Sequence, residues 1–233
     1  MNDLSFAVEQ GTIKALIGPN GAGKTTTFNM ITGLIAPSRG SVIFKGEELT
    51  TRPPHVRAKK GLSRTFQIVR PFAEMTVLEN VMVGCDMRTR SGLFSAALRL
   101  PGCTRDERNV RQKAMKELEF VGLAARAAAP VTSLPMGEQR VMEIARALAS
   151  DPQIVLFDEP AAGLNEKETD QLAQNLLRIK ERRITVLLVE HDMRLVMRVS
   201  DEVVVINYGS LIAEGTPSEI RNNHEVITAY LGK

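Results

Sequence analysis

Gly18-Pro19-Asn20-Gly21-Ala22-Gly23-Lys24-Thr25-Thr26 follows an apolar run, Ile13 to Ile17, and precedes a segment with helical spacing, Phe28 to Leu34. Strand, glycine loop and helix in that order are what a phosphate-binding P-loop requires. Phosphates are anionic and bulky, so the backbone must bend closely around them with no side chains in the way. Gly18, Gly21 and Gly23 supply that freedom. The N–H groups of the loop, and of the helix expected to begin near Lys24, then point at the phosphates. Lys24 adds a mobile positive charge, and the Thr25 hydroxyl is placed to ligate Mg²⁺. With every fixed position of the pattern filled, the chain is expected to bind a nucleoside triphosphate.

The rest of the composition sets bounds on that reading. At 233 residues the chain can bury a full core. Its net charge is only +3, with no dense Lys/Arg block to argue for nucleic acid. Arg88, Arg90, Arg99, Arg105, Arg108 and Arg111 form the one locally basic neighbourhood. Cys85 and Cys103 lack metal-type spacing and read as reduced thiols. No apolar run reaches transmembrane length and the N-terminus has no signal-peptide pattern, so a soluble protein is expected, with any membrane role coming through a partner.

Along the chain, Leu4, Phe6 and Val8 alternate, Glu9-Gln10-Gly11 reads as a turn, and Thr12 to Ile17 runs apolar. The pattern predicts a hairpin leading into the glycine loop. A helix should end near Gly33, and Ser41 to Phe44 should form a short strand before Gly46. Thr65-Phe66-Gln67 reads as another strand. From Thr76 to about Ser150 the character is helical, with Thr76 to Met87 one helix and a capping box at Thr104 to Glu107 opening another. That second helix carries Val110, Ala114, Leu118 and Val121 on one stripe. Ser91 to Gly102 has no clear period and is expected to be a loop or short helix. Strands are expected again at Gln153 to Phe157, Ile184 to Val189 and Val203 to Ile206, with Ser210 to Ala213 pairing back on the last. Asn165 should cap a helix bearing Leu172, Leu176 and Ile179, and the tail from Pro217 to Leu231 should be helical. The organisation predicted is a discontinuous α/β core, 1–75 and 151–233, interrupted by a helical segment at 76–150.

Ile154-Val155-Leu156-Phe157-Asp158-Glu159-Pro160 carries the second chemical signal. A buried strand ending in two carboxylates puts Asp158 at the carboxyl edge of a parallel sheet, where ligands of open α/β sheets bind. Asp158 would hold Mg²⁺ directly or through water, and Glu159 would polarise the water attacking the γ-phosphate. His191, in Val189-Glu190-His191-Asp192, ends a strand expected to neighbour 154–157, which would bring it near the same phosphate. Gln67 ends a shorter strand. Leu134-Pro135-Met136-Gly137-Glu138-Gln139-Arg140 opens a helix whose glycine and small polar residues favour an anion.

Taken together, these parts resemble the ATP-binding subunit of ABC transporters over essentially the whole chain. Gly18–Thr25 matches the Walker A loop, Gln67 the Q-loop, Leu134–Glu138 the signature loop, residues 154–159 Walker B, Ala162-Gly163-Leu164-Asn165 the D-loop and His191 the switch histidine. The resemblance implies an α/β P-loop NTPase core of the ABC ATPase kind, with an inserted helical subdomain and an N-terminal antiparallel β part, forming one domain over 1–233. It implies ATP and Mg²⁺ as cofactors. The implied nucleotide contacts are Gly18, Pro19, Asn20, Gly21, Ala22, Gly23, Lys24, Thr25 and Thr26, and in trans Leu134, Pro135, Met136, Gly137 and Glu138. Thr25, Gln67 and Asp158 would serve the metal, and Glu159, His191 and Gln67 hydrolysis. Two such domains would pair head to tail, as a homo- or heterodimer, so that each ATP lies between one phosphate loop and the partner's signature loop. Permease subunits and, indirectly, a periplasmic binding protein would be the other partners, at the cytoplasmic face of the membrane.

Within that family the chain is most similar to the branched-chain amino acid uptake ATPases, through Ala15 to Lys24, Arg64-Thr65-Phe66-Gln67 and Asp158 to Asn165. Related systems move amides or urea, or export lipopolysaccharide. A soluble ATP-driven clamp acting on nucleic acid would be expected to carry tandem domains, coiled-coil insertions or basic arms. A small GTPase or P-loop kinase is disfavoured by Glu159 and by the lack of an Asn-Lys-x-Asp motif. Three departures from the family pattern stand out. Pro135 replaces the usual signature serine, and Asn165 the usual D-loop aspartate. The chain begins at Met1-Asn2-Asp3-Leu4, where the family has a further strand carrying an aromatic residue that stacks on adenine. Tyr208 and Tyr230 do not match that aromatic. Adding that strand is expected to tighten ATP binding.

Overall fold

The computed structural model describes residues 1–65, 70–85 and 101–231. It divides into two compact units, Met1–Gln67 with Gln153–Lys233, and Ile68–Pro152. The sequence pattern sets these changes of character at 75/76 and 150/151.

Ile13–Ile17 (β1) is buried at every residue, as a strand covered on both faces must be. In the first unit it is followed by the antiparallel pair Ile43–Phe44 (β2) and Glu47–Glu48 (β3), and by Leu62–Arg64 (β4). Ile154–Asp158 (β5), Thr185–Val189 (β6), Glu202–Asn207 (β7) and Ser210–Gly215 (β8) complete the strands among the described residues. Their order across the main sheet is β4-β5-β6-β1-β7-β8. Neighbours pair in parallel as far as β7, and β8 returns antiparallel to it. The carboxyl ends of β4, β5, β6 and β1 therefore share one edge, and the loops leaving them are the loops singled out in the sequence.

The expected hairpin of residues 4–8 with 12–17 does not form. Both edges of β1 are already occupied, by β6 and by β7, so no edge is left for an antiparallel partner. The alternation of Leu4, Phe6 and Val8 is nonetheless expressed as burial: these three are half-buried against the core while their neighbours are exposed. The antiparallel sheet is instead β2–β3, joined by Lys45 and Gly46, both at positive φ (52° and 77°), as a two-residue hairpin turn requires. Lys14 is the one polar interruption of β1. Burial would lower its pKa, but the carboxylates of Glu202 and Glu214, at 2.7 and 2.6 Å, hold it raised.

The helix that follows the glycine loop, Lys24–Thr32 (α1), stops at Gly33, whose φ of 82° lies in the left-handed region. Its last carbonyls are closed by a buried arginine from Pro54–Lys59 (α2). Arg57, 1% exposed, donates Nη1 to the Met30 and Ile31 carbonyls at 2.7 Å each, Nε to Arg52 O at 2.8 Å and Nη2 to Thr50 O at 2.9 Å. Replacing Arg57 by Met keeps the stem and strands these acceptors. It is expected to cost about 3 kcal/mol in urea unfolding, and an unchanged midpoint would contradict the role given to the guanidinium.

Glu166–Glu181 (α6) and Met193–Val199 (α7) belong to the same unit, as do the tail helices Pro217–Arg221 (α8) and His224–Leu231 (α9). The tail is helical as expected, in two helices divided at Asn222 and Asn223. Asn165 caps α6 with a full capping box: Oδ1 accepts from Glu168 N at 3.0 Å and Glu168 Oε2 accepts from Asn165 N at 2.9 Å. The amide at this D-loop position therefore has a local structural use. Asn165→Ala is expected to cost about 1 kcal/mol in thermal or urea unfolding and Asn165→Asp almost nothing.

In the second unit Val77–Cys85 (α3), Pro101–Val121 (α4) and Met136–Leu148 (α5) pack on one another. Thr76 caps α3, accepting from Glu79 N at 3.2 Å. The helix expected to open at the Thr104 capping box is present as α4, already helical at Pro101, the first residue described after 85. The buried stripe of Ala114, Leu118 and Val121 is as expected. Of the strand expected at 65–67, Thr65 directly follows β4, while Phe66 and Gln67 lie outside the described residues, as do Met87 and residues 91–100.

Candidate functional site

The glycine loop is held from below by its own sheet. A side chain at Gly18 would overlap the carbonyl oxygen of Ile206 on β7, so only glycine lets the chain leave β1 at this point. Ala22 N donates to Pro19 O at 3.1 Å, closing the turn, and Gly209 N donates to Ala22 O at 2.8 Å. Gly23, at φ 108°, is the residue before α1, and no capping side chain or acidic residue occupies the first turn. The helix thus begins with open donors and the positive end of its dipole at the loop. Asn20, Gly21, Thr25 and Thr26 are exposed, whereas Ala22 and Lys24 are buried.

Lys24 is the electrostatic centre. Its Nζ donates to Gly18 O at 2.7 Å and to Pro19 O at 3.2 Å. Burial lowers its pKa, and the charges of Glu159 and Asp158 oppose that shift. The loops after β1 and β5 are therefore brought together, as the sequence pattern requires.

Asp158 is 5% exposed at the end of β5. Its Oδ2 accepts from Arg64 Nη2 at 2.8 Å, in an ion pair with both side chains buried. Arg64 reaches α1 as well, donating Nη1 to Asn29 Oδ1 at 2.7 Å, with the guanidinium 5.6 Å from the Phe28 ring centroid. One arginine from β4 thus fastens the carboxylate to the helix of the glycine loop. Nothing in the sequence signals this pairing, because the spacing does not reveal which carboxylate lies one strand away.

Glu159 departs from the strand at φ 48°, a conformation that costs a non-glycine residue of order 1 kcal/mol. The backbone is held there by its N–H, which donates to Val189 O at the end of β6 at 2.8 Å. That bond sets Glu159 beside His191, whose Nδ1 lies 4.0 Å from Glu159 Oε2 and 3.9 Å from Glu190 Oε2. Glu190, which the sequence pattern gave no role, is 1% exposed. Tyr208 and Tyr230, remote in sequence, both come near the loop: Tyr208 precedes the Gly209 that bonds to Ala22, and burial pushes the pKa of the Tyr230 phenol up to about 12 against the opposing influence of the Gly18 backbone.

The signature-like residues lie in the second unit. Leu134 and Gly137 are buried, and Met136 is exposed. Pro135 stands as the N-cap of α5, one position before the first helical residue, and Gln139 secures the turn by donating to Leu134 O at 2.9 Å. Glu138 Oε2 lies 3.5 Å from Arg126 Nε.

Comparison with known proteins bears on these features together. The family model for ABC transporters matches residues 1–162, and one described as a branched-chain amino acid ATP-binding cassette transporter matches 210–233. The high-affinity branched-chain amino acid transport ATP-binding protein BraF of Pseudomonas aeruginosa is 45% identical over all of this chain and 92% of its own length. LivG of Escherichia coli, of the same description, is 43% identical with the same coverage. The lipopolysaccharide export system ATP-binding protein LptB of Haemophilus influenzae is 33% identical over all of this chain and 91% of its own. Among solved structures, the ADP conformation of an ATP-binding cassette of an ABC transporter superposes with a TM-score of 0.85 at 32% identity, covering 99% of this chain and 91% of that one. A dimeric bacterial ABC transporter cassette gives 0.76 at 25%, covering 91% and 88%.

Proposed function

Because this chain belongs to the ABC transporter ATP-binding family, we propose that it is the ATP-hydrolysing subunit of a membrane importer for branched-chain amino acids. The observation that carries this reading is the meeting of Lys24, Asp158, Glu159 and His191 at adjoining strand ends, in a chain that aligns along its whole length with branched-chain transport subunits.

The N–H groups at the start of α1 and the Lys24 ammonium receive the β- and γ-phosphates. Thr25 and Asp158 fit Mg²⁺: the hydroxyl is exposed at the mouth of the loop, and the carboxylate is buried beside Lys24. When bound, Mg²⁺ would neutralise charge developing on the phosphate oxygens. Arg64 holds Asp158 Oδ2 and leaves Oδ1 for that task. Glu159 orients the attacking water and accepts its proton, and His191, 4.0 Å from Glu159, is assigned to the γ-phosphate. Gln67 is assigned to the metal and to sensing of the permease. In a dimer the partner's Leu134–Glu138 closes over the nucleotide. Pro135 there offers neither hydroxyl nor N–H, so the close approach falls to Gly137.

Branched-chain amino acids are favoured over lipopolysaccharide by the higher identity to BraF and LivG than to LptB, and by the match at 210–233. Among the described residues no helix is long and apolar enough to cross a membrane, so attachment rests on permease subunits. Affinity purification of the tagged chain from detergent-solubilised membranes tests this. Permease subunits and a cassette partner, either a second copy or a related chain, are expected to co-purify. Recovery of the chain with nucleic acid and no membrane protein would overturn the reading.

A further inference from the structure

The residue before the switch histidine is a fully buried carboxylate that accepts hydrogen bonds from backbone N–H groups. Glu190 Oε1 accepts from Ala161 N at 2.7 Å, and Oε2 accepts from His191 N at 2.9 Å and Asp192 N at 3.2 Å. Its side chain has no exposed surface. An ionised carboxylate is an acceptor at both oxygens and can satisfy several N–H groups without presenting a donor to any of them. Burying one is costly unless such bonds compensate. Here they span two loops: Ala161 lies between Glu159 and the D-loop-like stretch that ends at the Asn165 helix cap, and His191 and Asp192 lie in the loop after β6.

We propose that Glu190 is a positioning residue that clasps the loop after β5 to the loop bearing His191, so that a nucleotide-driven shift of one is carried to the other. The inference rests on the reading of Glu159 and His191 as the hydrolytic pair. Asp192 is committed elsewhere, since its Oδ1 caps α7 through Arg194 N and Leu195 N. Glu190 is therefore the side chain that reaches from this loop to Ala161. A glutamine at this position would be the same size but would turn an N–H₂ against one of the two loops, releasing it.

The test uses hydrogen exchange with ATP in the Glu159→Gln chain, with and without Glu190→Gln. With Glu190 present, ATP is expected to protect peptides covering 160–165 and 190–195 alike. With Glu190→Gln, protection at 190–195 should persist and that at 160–165 should fall by at least about half. In the chain with native Glu159, Glu190→Gln should lower kcat about tenfold while KM for ATP stays within about threefold. Equal protection of both segments with and without Glu190 would overturn the clasp, as would loss of protection at both or loss of ATP binding. Absence of protection at either segment while Glu190 is intact would overturn the reading of the site on which the clasp depends. Should thermal melting show Glu190→Gln unfolded, Glu190→Asp carries the same comparison, because it keeps the charge but is one methylene too short to span both loops.

Discussion

Glu159→Gln is expected to slow ATP turnover by at least about a hundredfold while ATP still binds. The amide has the volume of the carboxylate but cannot accept the proton of the attacking water. The neighbours that bind nucleotide are untouched by the change. Lys24 keeps its bonds to Gly18 and Pro19, and Asp158 keeps its ion pair with Arg64. The backbone strain at φ 48° is also unaffected, since it is held by the bond from the residue 159 N–H to Val189 O rather than by the side chain. Bound, uncleaved ATP should then hold two chains together, seen as a dimer in size-exclusion chromatography run with ATP. Single-turnover measurement separates the outcomes: wild-type turnover in this variant would remove Glu159 from the role of base.

Lys24→Ala is expected to weaken ATP binding by about a hundredfold or more, the loss typical when one partner of a buried charged hydrogen bond is removed. Lys24 is 8% exposed, and burial already lowers its pKa, so its charge acts where solvent screens it little. The Gly18 and Pro19 carbonyls hold the ammonium at the mouth of the loop, positioned for a phosphate. The variant should fold normally, because α1 is anchored by Phe28 and Thr27 and closed by Arg57, none of which touches the ammonium. Fluorescence titration with an ATP analogue checks this, and unchanged affinity would contradict the P-loop assignment.

Much of this site was legible because its chemistry is written in short contiguous stretches. The glycine spacing from 18 to 23, the apolar run ending in Asp158 and Glu159, and the histidine after the next strand each imply a strand end, and parallel strands gather their carboxyl ends at one edge. What could not be read is what depends on neighbours across the sheet. Arg64 and Asp158 meet because β4 and β5 are adjacent, and Glu190 meets Ala161 because β5 and β6 are. No local pattern records either pairing. The misread hairpin shows the same limit from the other side. Alternation at Leu4, Phe6 and Val8 records which face is buried, and it carries no information about whether a ladder partner has a free edge to offer.

The central claim is that ATP hydrolysis at this site drives uptake of branched-chain amino acids. It is tested most directly by the uptake of radiolabelled leucine into cells lacking the gene and supplied with either the native chain or Glu159→Gln, each at equal abundance. Uptake is expected to be restored by the native chain and to remain at the level of the deletion with Glu159→Gln. Leucine uptake that is unchanged by the deletion, or restored equally by both chains, would contradict it.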